Sequence, residues 1–221
     1  MALTTYGGLK TAIADWAWGE VTSALIESDF FPRMLSKLFY GDGSNRDGQV
    51  RINPLRIRQM EDSATLTPSA AGQVTISSAC GSGWLDFINL TPTATGSQSL
   101  DYLEPWEFKR RPELLVGGPA KFYTIEGDTL FTGPYSSATI SARWHEKFTT
   151  MSADGDTDWV LTNAPQVYMD GCLMEICTYL QDDRYATFRS AFASGINGLN
   201  LNNAAAKASG AVRRAIPRSI A

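Results

Sequence analysis

The sequence predicts an α+β fold: a mainly α-helical bundle formed by N- and C-terminal helices, with an inserted β-rich domain and an extended C-terminal arm. Three observations predict it. Apolar residues recur with helical period near both ends, short apolar runs with strand spacing fill the middle, and large apolar groups thin out after Asn203. The expected boundaries are 1–49 for the first helices, 50–160 for the β-rich insert, 161–203 for the returning helices and 204–221 for a basic tail.

Taking the elements in order, Thr4 and Thr5 can cap a helix whose apolar face is Leu9, Ile13 and Trp16, spaced four and three apart. A short helix follows over 21–28. Asp29 can cap a third over 30–40, where Phe31, Met34, Leu35 and Leu38 share one face and Pro32 falls in the first turn, where its missing N–H costs little. The run Gly41-Asp42-Gly43-Ser44-Asn45 stops that helix.

In the middle, Gln73-Val74-Thr75-Ile76-Ser77 alternates with period two, as a half-buried strand does. A hairpin is expected where 121–125 and 129–132 flank Glu126-Gly127-Asp128, with Gly133-Pro134 ending its second strand and a further strand over 139–144. A short helix fits 105–111. The region is too apolar for a linker.

Helix returns with Thr162 or Asn163 as cap and Pro165 just inside the start. Leu173, Ile176, Cys177 and Leu180 form one stripe. Asp182 or Asp183 caps the last helix, marked by Tyr185, Phe188, Phe192, Ile196 and Leu199. Gly195 and Gly198 either admit a neighbouring helix or mark fraying. Residues 204–221 hold too few large apolar groups to offset their own ordering entropy, so they are expected to be extended or disordered until docked.

Charge is informative by position. After Asp183 there are six basic residues and no acidic one, so 184–221 carries +6; the remainder has 13 basic against 23 acidic residues, or −10. An acidic body with a basic tail marks an interaction arm. It argues against a nucleic-acid-binding module, which wants a basic domain with interleaved aromatics. No long apolar run or leader pattern is present, so neither a membrane span nor a signal peptide is expected. Cys80, Cys172 and Cys177 read as buried reduced thiols, in keeping with assembly in a reducing cytoplasm.

The chemistry of catalysis is thinly represented. His145 is the lone histidine, within Trp144-His145-Glu146-Lys147 at a strand end, and reads as structural or exposed. No Gly-x-Ser-x-Gly, His-Glu-x-x-His, phosphate loop or Cys-x-x-Cys is found, and no metal-ligand spacing, so no catalytic residue, metal or cofactor is expected. Adjacent carboxylates at Glu61-Asp62 and Asp182-Asp183 keep a cell-wall hydrolase as an alternative.

A run of segments stands out in order: 6–10 (Tyr-Gly-Gly-Leu-Lys), 54–61 (Pro-Leu-Arg-Ile-Arg-Gln-Met-Glu) and 85–87 (Leu-Asp-Phe), then 118–128, its closing Gly133-Pro134, 164–171 and 179–184. In this order and spacing the chain, to about residue 200, resembles the portal-binding adaptor (head-to-tail connector) family of podovirus-type and related phages. The chain departs from the pattern in lacking a Pro before Asp86 and in its Gly-rich stretch at 41–48. The resemblance implies a non-enzymatic ring of about twelve copies beneath the portal protein, located in the virion neck. Such a ring extends the channel for double-stranded DNA, which passes without sequence-specific binding, and presents a platform for a tail or nozzle protein, with no membrane partner. It also implies that the C-terminal arm grips the portal, which points to Lys207, Arg213, Arg214 and Arg218. A ring joins unlike patches, and aromatics favour such contacts, so Trp18, Trp84, Trp106 and Trp159, outside the helical stripes, are candidates for intersubunit or tail docking. An acidic channel wall would let DNA slide where a basic one would hold it. A tail stopper or terminator is the other virion reading, and helices at both ends argue against it.

Overall fold

The computed structural model describes residues 3–17, 19–43, 50–94 and 98–209, and it is an α+β protein. The chain divides into two compact units, one made of 1–58 and 150–221, the other of 59–149.

The first unit is helical. Thr5 caps α1 (Tyr6–Trp16) by accepting the Gly8 N–H, and Leu9 and Ile13 are fully buried. Trp16, expected on the same face, stands 49% exposed. The next two expected helices are one continuous element. Thr22 caps it, α2 (Ser23–Leu25) leads into a π turn over Ile26–Phe30, and α3 (Phe31–Tyr40) follows without a break. Asp29 therefore caps nothing; it lies inside the π turn and bonds Arg33 one turn on, at 2.7 Å. Phe31, Met34 and Leu38 are buried, Leu35 half-buried, and Gly41 ends the helix at φ +71°.

Asp158, not Thr162 or Asn163, makes the next cap. It accepts the Leu161 N–H at 2.7 Å and starts α6 (Trp159–Asn163), a short helix that contains both expected caps. Pro165 then opens α7 (Pro165–Leu180). This helix is buried on every side from Val167 to Cys177, so the one-sided stripe expected there understates it. α1, α3, α6 and α8 (Tyr185–Ser209) pack around it. The approach is closest at Gly171, where an added Cβ would collide with Met34 Cγ and lie 2.8 Å from the Phe192 ring. Residues 204–209, expected to be extended, are the last turns of α8. Adding alanines to an existing helix needs no new nucleus. Residues 210–221 lie outside the described residues.

The second unit carries two sheets. One has the order β1 (Glu61–Leu66), β7 (Ile140–Glu146), β3 (Trp84–Pro92), all antiparallel. The other runs β2 (Gln73–Thr75), β6 (Thr129–Gly133), β5 (Phe122–Glu126), β4 (Asp101–Tyr102), with β4 parallel to β5. The expected hairpin is present: Glu126 pairs with Thr129 across Gly127-Asp128, and Gly127 takes φ +61°. The expected strand over 73–77 stops at Thr75. Asp128 accepts the Ser77 N–H at 2.9 Å, and its carbonyl takes the Ile76 N–H, so the chain turns into α4 (Ile76–Cys80). The expected helix at 105–111 is α5 (Pro105–Lys109), followed by a 3₁₀ turn over Pro112–Leu114. Leu66, Ile76, Leu90, Leu130, Ile140 and Trp144 lie in the core of this unit. Cys80, Cys172 and Cys177 are free and buried, and burial pushes the Cys80 thiol up to about 11.

Candidate docking surfaces

The last helix is tied down before it becomes available to anything else. Arg189 is buried on α8, bonding the Val50 carbonyl at 3.0 Å, the Tyr185 hydroxyl at 3.0 Å and the Asp42 carboxylate. Arg184 is paired with Asp182 at 2.6 Å, and that contact holds the Asp182 carboxyl below its ordinary value. Two of the six positive charges counted after Asp183 therefore serve the fold. Lys207 stands exposed on the last turns of α8, and Arg213, Arg214 and Arg218 lie outside the described residues.

Where α7 gives way to α8, Gln181 takes the left-handed conformation at φ 57° and the chain turns, with Asp182 accepting the Arg184 N–H at 2.8 Å. The turn leaves a cleft of about 380 Å³. Leu173, Ile176 and Cys177 form its floor. Trp16 and Phe188 face each other edge-on at 6.1 Å along one side. Glu20, Asp182, Asp183 and Arg184 line its polar edge. Glu20 and Asp183 are exposed and make no ion pair among the described residues. The cleft joins an apolar floor to a net negative rim, the chemistry of a site for a basic, partly apolar peptide.

The expected aromatics fall in different settings. Trp106 on α5 is 62% exposed, with the Arg110 guanidinium 5.9 Å from its ring centre. Trp84 is half-buried at the start of β3, its ring 5.2 Å from that of Phe87 and its indole N–H buried without a hydrogen-bond partner. Trp159 is half-buried on α6. Trp18 lies outside the described residues. Sequence reasoning missed Trp16, placed on a core face, and Tyr179, which is 62% exposed beside Phe30 on the far end of α7. A pattern of apolar spacing does not say where a helix outruns its neighbours.

Of the groups that kept a hydrolase in view, Glu61 and Asp182 are held in ion pairs, Asp183 is exposed, and Asp62 lies against Glu146, whose carboxyl is raised by burial and by Asp62. Glu61 is paired with Arg143 at 2.7 Å, and His145 Nδ1 lies 2.6 Å from Asp86 across neighbouring strands. A two-carboxylate mechanism needs one carboxyl held protonated. Asp182 is pushed the other way by Arg184. Among the described residues, no cluster of three or more His, Cys, Asp or Glu could hold a metal ion, and no helix is long and apolar enough to cross a membrane.

Residues 4–215 match the family model described as SU10 adaptor protein. No curated protein matches the chain.

Proposed function

Because the chain belongs to the SU10 adaptor protein family, we propose that it is a structural adaptor in the neck of a tailed phage, joining the portal to the tail. About twelve copies form a ring under the portal, each presenting one patch to a different patch on its neighbour. The ring extends the DNA channel and offers the tail its platform. The observation that carries this reading is the extent of the family match, which runs through both units and nearly the whole chain.

Two features support it. Large aromatics stand at the surface where a ring or a tail protein needs anchors, Trp106 on one unit and Trp16 and Tyr179 on the other. The charge is segregated along the sequence, with six basic residues and no acidic one after Asp183, and Lys207, Arg213, Arg214 and Arg218 at its end would meet an acidic surface of the assembly. Such attraction speeds docking and weakens with salt.

Co-sedimentation of the purified chain with its portal ring tests the reading. Retention on the ring at moderate salt is the expected result. No retention from low to moderate salt overturns it and returns the chain to the stopper, terminator or hydrolase alternatives.

A further inference from the structure

We propose that the cleft at the α7–α8 turn is the docking site for the C-terminal segment 210–221 of a neighbouring copy; the inference rests on the ring reading above. It sends the basic arm to the adjacent subunit in place of the portal surface that the family resemblance implies.

Three observations choose this occupant. The first is chemistry. The segment reads Gly-Ala-Val-Arg-Arg-Ala-Ile-Pro-Arg-Ser-Ile-Ala, with Val212 and Ile216 flanking Arg213 and Arg214 and no acid within it. An aliphatic side chain laid against the Trp16–Phe188 ring pair covers the apolar floor, while the arginines meet Glu20 and Asp183, the rim carboxylates without an ion pair among the described residues.

The second is reach. Phe188 borders the cleft and Ser209 ends α8, so 21 residues of helix separate them, about 31 Å at the helical rise. Arg213 and Arg214 follow Ser209 by four and five residues, which span at most about 14–18 Å. A chain cannot bring its own arginine pair back to its own cleft, but a neighbour can supply it.

The third is what the fold has already used. Arg189 is neutralised by Asp42, and Arg184, paired with Asp182 and also near Glu20, is one positive charge among three rim carboxylates, so the rim keeps a net negative charge. The positive charge of the terminal segment complements it.

Fluorescence anisotropy tests the proposal. A fluorescein-labelled peptide of residues 210–221 is titrated into the full chain carrying Arg213→Glu, Arg214→Glu and Arg218→Glu, so that its own arm does not compete. Saturable binding that weakens with salt is expected. The charge reversal Glu20→Lys with Asp183→Lys, and separately Trp16→Ala, should each weaken it at least tenfold with the circular dichroism unchanged. All three positions are exposed, so the variants should fold. No binding, or equal binding to the charge-reversed cleft, overturns the proposal. Binding of the peptide to the portal ring but not to the chain also overturns it and returns the arm to the portal. The adaptor reading itself is judged separately, by whether the unmutated chain loads onto the portal ring.

Discussion

Asn200 holds the backbone at Arg56 and at Pro54, two residues before it: its Oδ1 accepts the Arg56 N–H at 2.8 Å, and its Nδ2 donates to the Pro54 carbonyl at 3.0 Å. Three residues on, Asn203 repeats the arrangement, accepting the Arg58 N–H at 3.0 Å and donating to the Arg56 carbonyl at 3.3 Å. Three residues back, Asn197 accepts from the Asn53 side chain at 3.0 Å. One face of α8 thus supplies the hydrogen bonds that a neighbouring strand would give to the extended segment 53–58.

Asn200→Ala removes both points and leaves a backbone N–H and C=O without partners. We expect a loss of about 1–3 kcal/mol in urea unfolding of the full chain. A change below about 0.5 kcal/mol would show that solvent replaces the clamp.

The buried pair of Asp42 and Arg189 makes a separate prediction. Asp42→Ala strands a guanidinium that is nearly inaccessible to solvent, at an expected cost of about 3–5 kcal/mol. Adding Arg189→Met removes the orphaned charge and should recover much of that loss. A double mutant as unstable as the single would place the cost in packing.

Helix propensity and packing oppose each other at Gly171. Alanine in mid-helix gains about 1 kcal/mol over glycine. Here the new methyl would meet Met34 and Phe192 well inside contact distance, and both side chains are fully buried. We expect Gly171→Ala to be destabilising by about 1–3 kcal/mol by chemical denaturation. A stabilised variant would show that α3 and α8 can move away.

Asp170 supplies a pH dependence. It is buried on α7, and burial raises its carboxyl above the ordinary value despite the 2.7 Å hydrogen bond from Gln166. An acid whose folded pKa is raised binds its proton more tightly when folded. Its effect on stability is absent below the unfolded pKa and becomes a cost as pH rises through the folded pKa. Asp170→Asn should therefore be more stable than the unmodified chain at pH 7, with the advantage fading near pH 3. Thermal unfolding across that range measures it, and an advantage independent of pH would assign it to shape.

Much of the fold was legible where one face of an element is wet and the other dry. The α3 stripe of Phe31, Met34 and Leu38 and the hairpin about Gly127 follow from period and turn chemistry. β3 was not legible, because shifts between Trp84 and Asp86 and between Phe87 and Asn89 break its alternation. β1 escaped because Asp62 to Thr65 are all exposed at the edge of the sheet. The end of α8 was misjudged because the residues beyond Asn203 hold few large apolar groups, whereas Asn200 and Asn203 tie the helix to the chain beside it by hydrogen bonds. Trp106, read as a tryptophan outside any stripe, is exposed. The cleft was not legible, since Trp16, Asp183 and Phe188 come together only through the turn at Gln181.

The central claim is that this chain assembles on a portal. Native mass spectrometry of the purified protein alone, and then with its portal ring, addresses it most directly. The account predicts that the portal ring gains about a dozen copies of a 24.1 kDa chain. A portal ring whose mass is unchanged from low to moderate salt would contradict it.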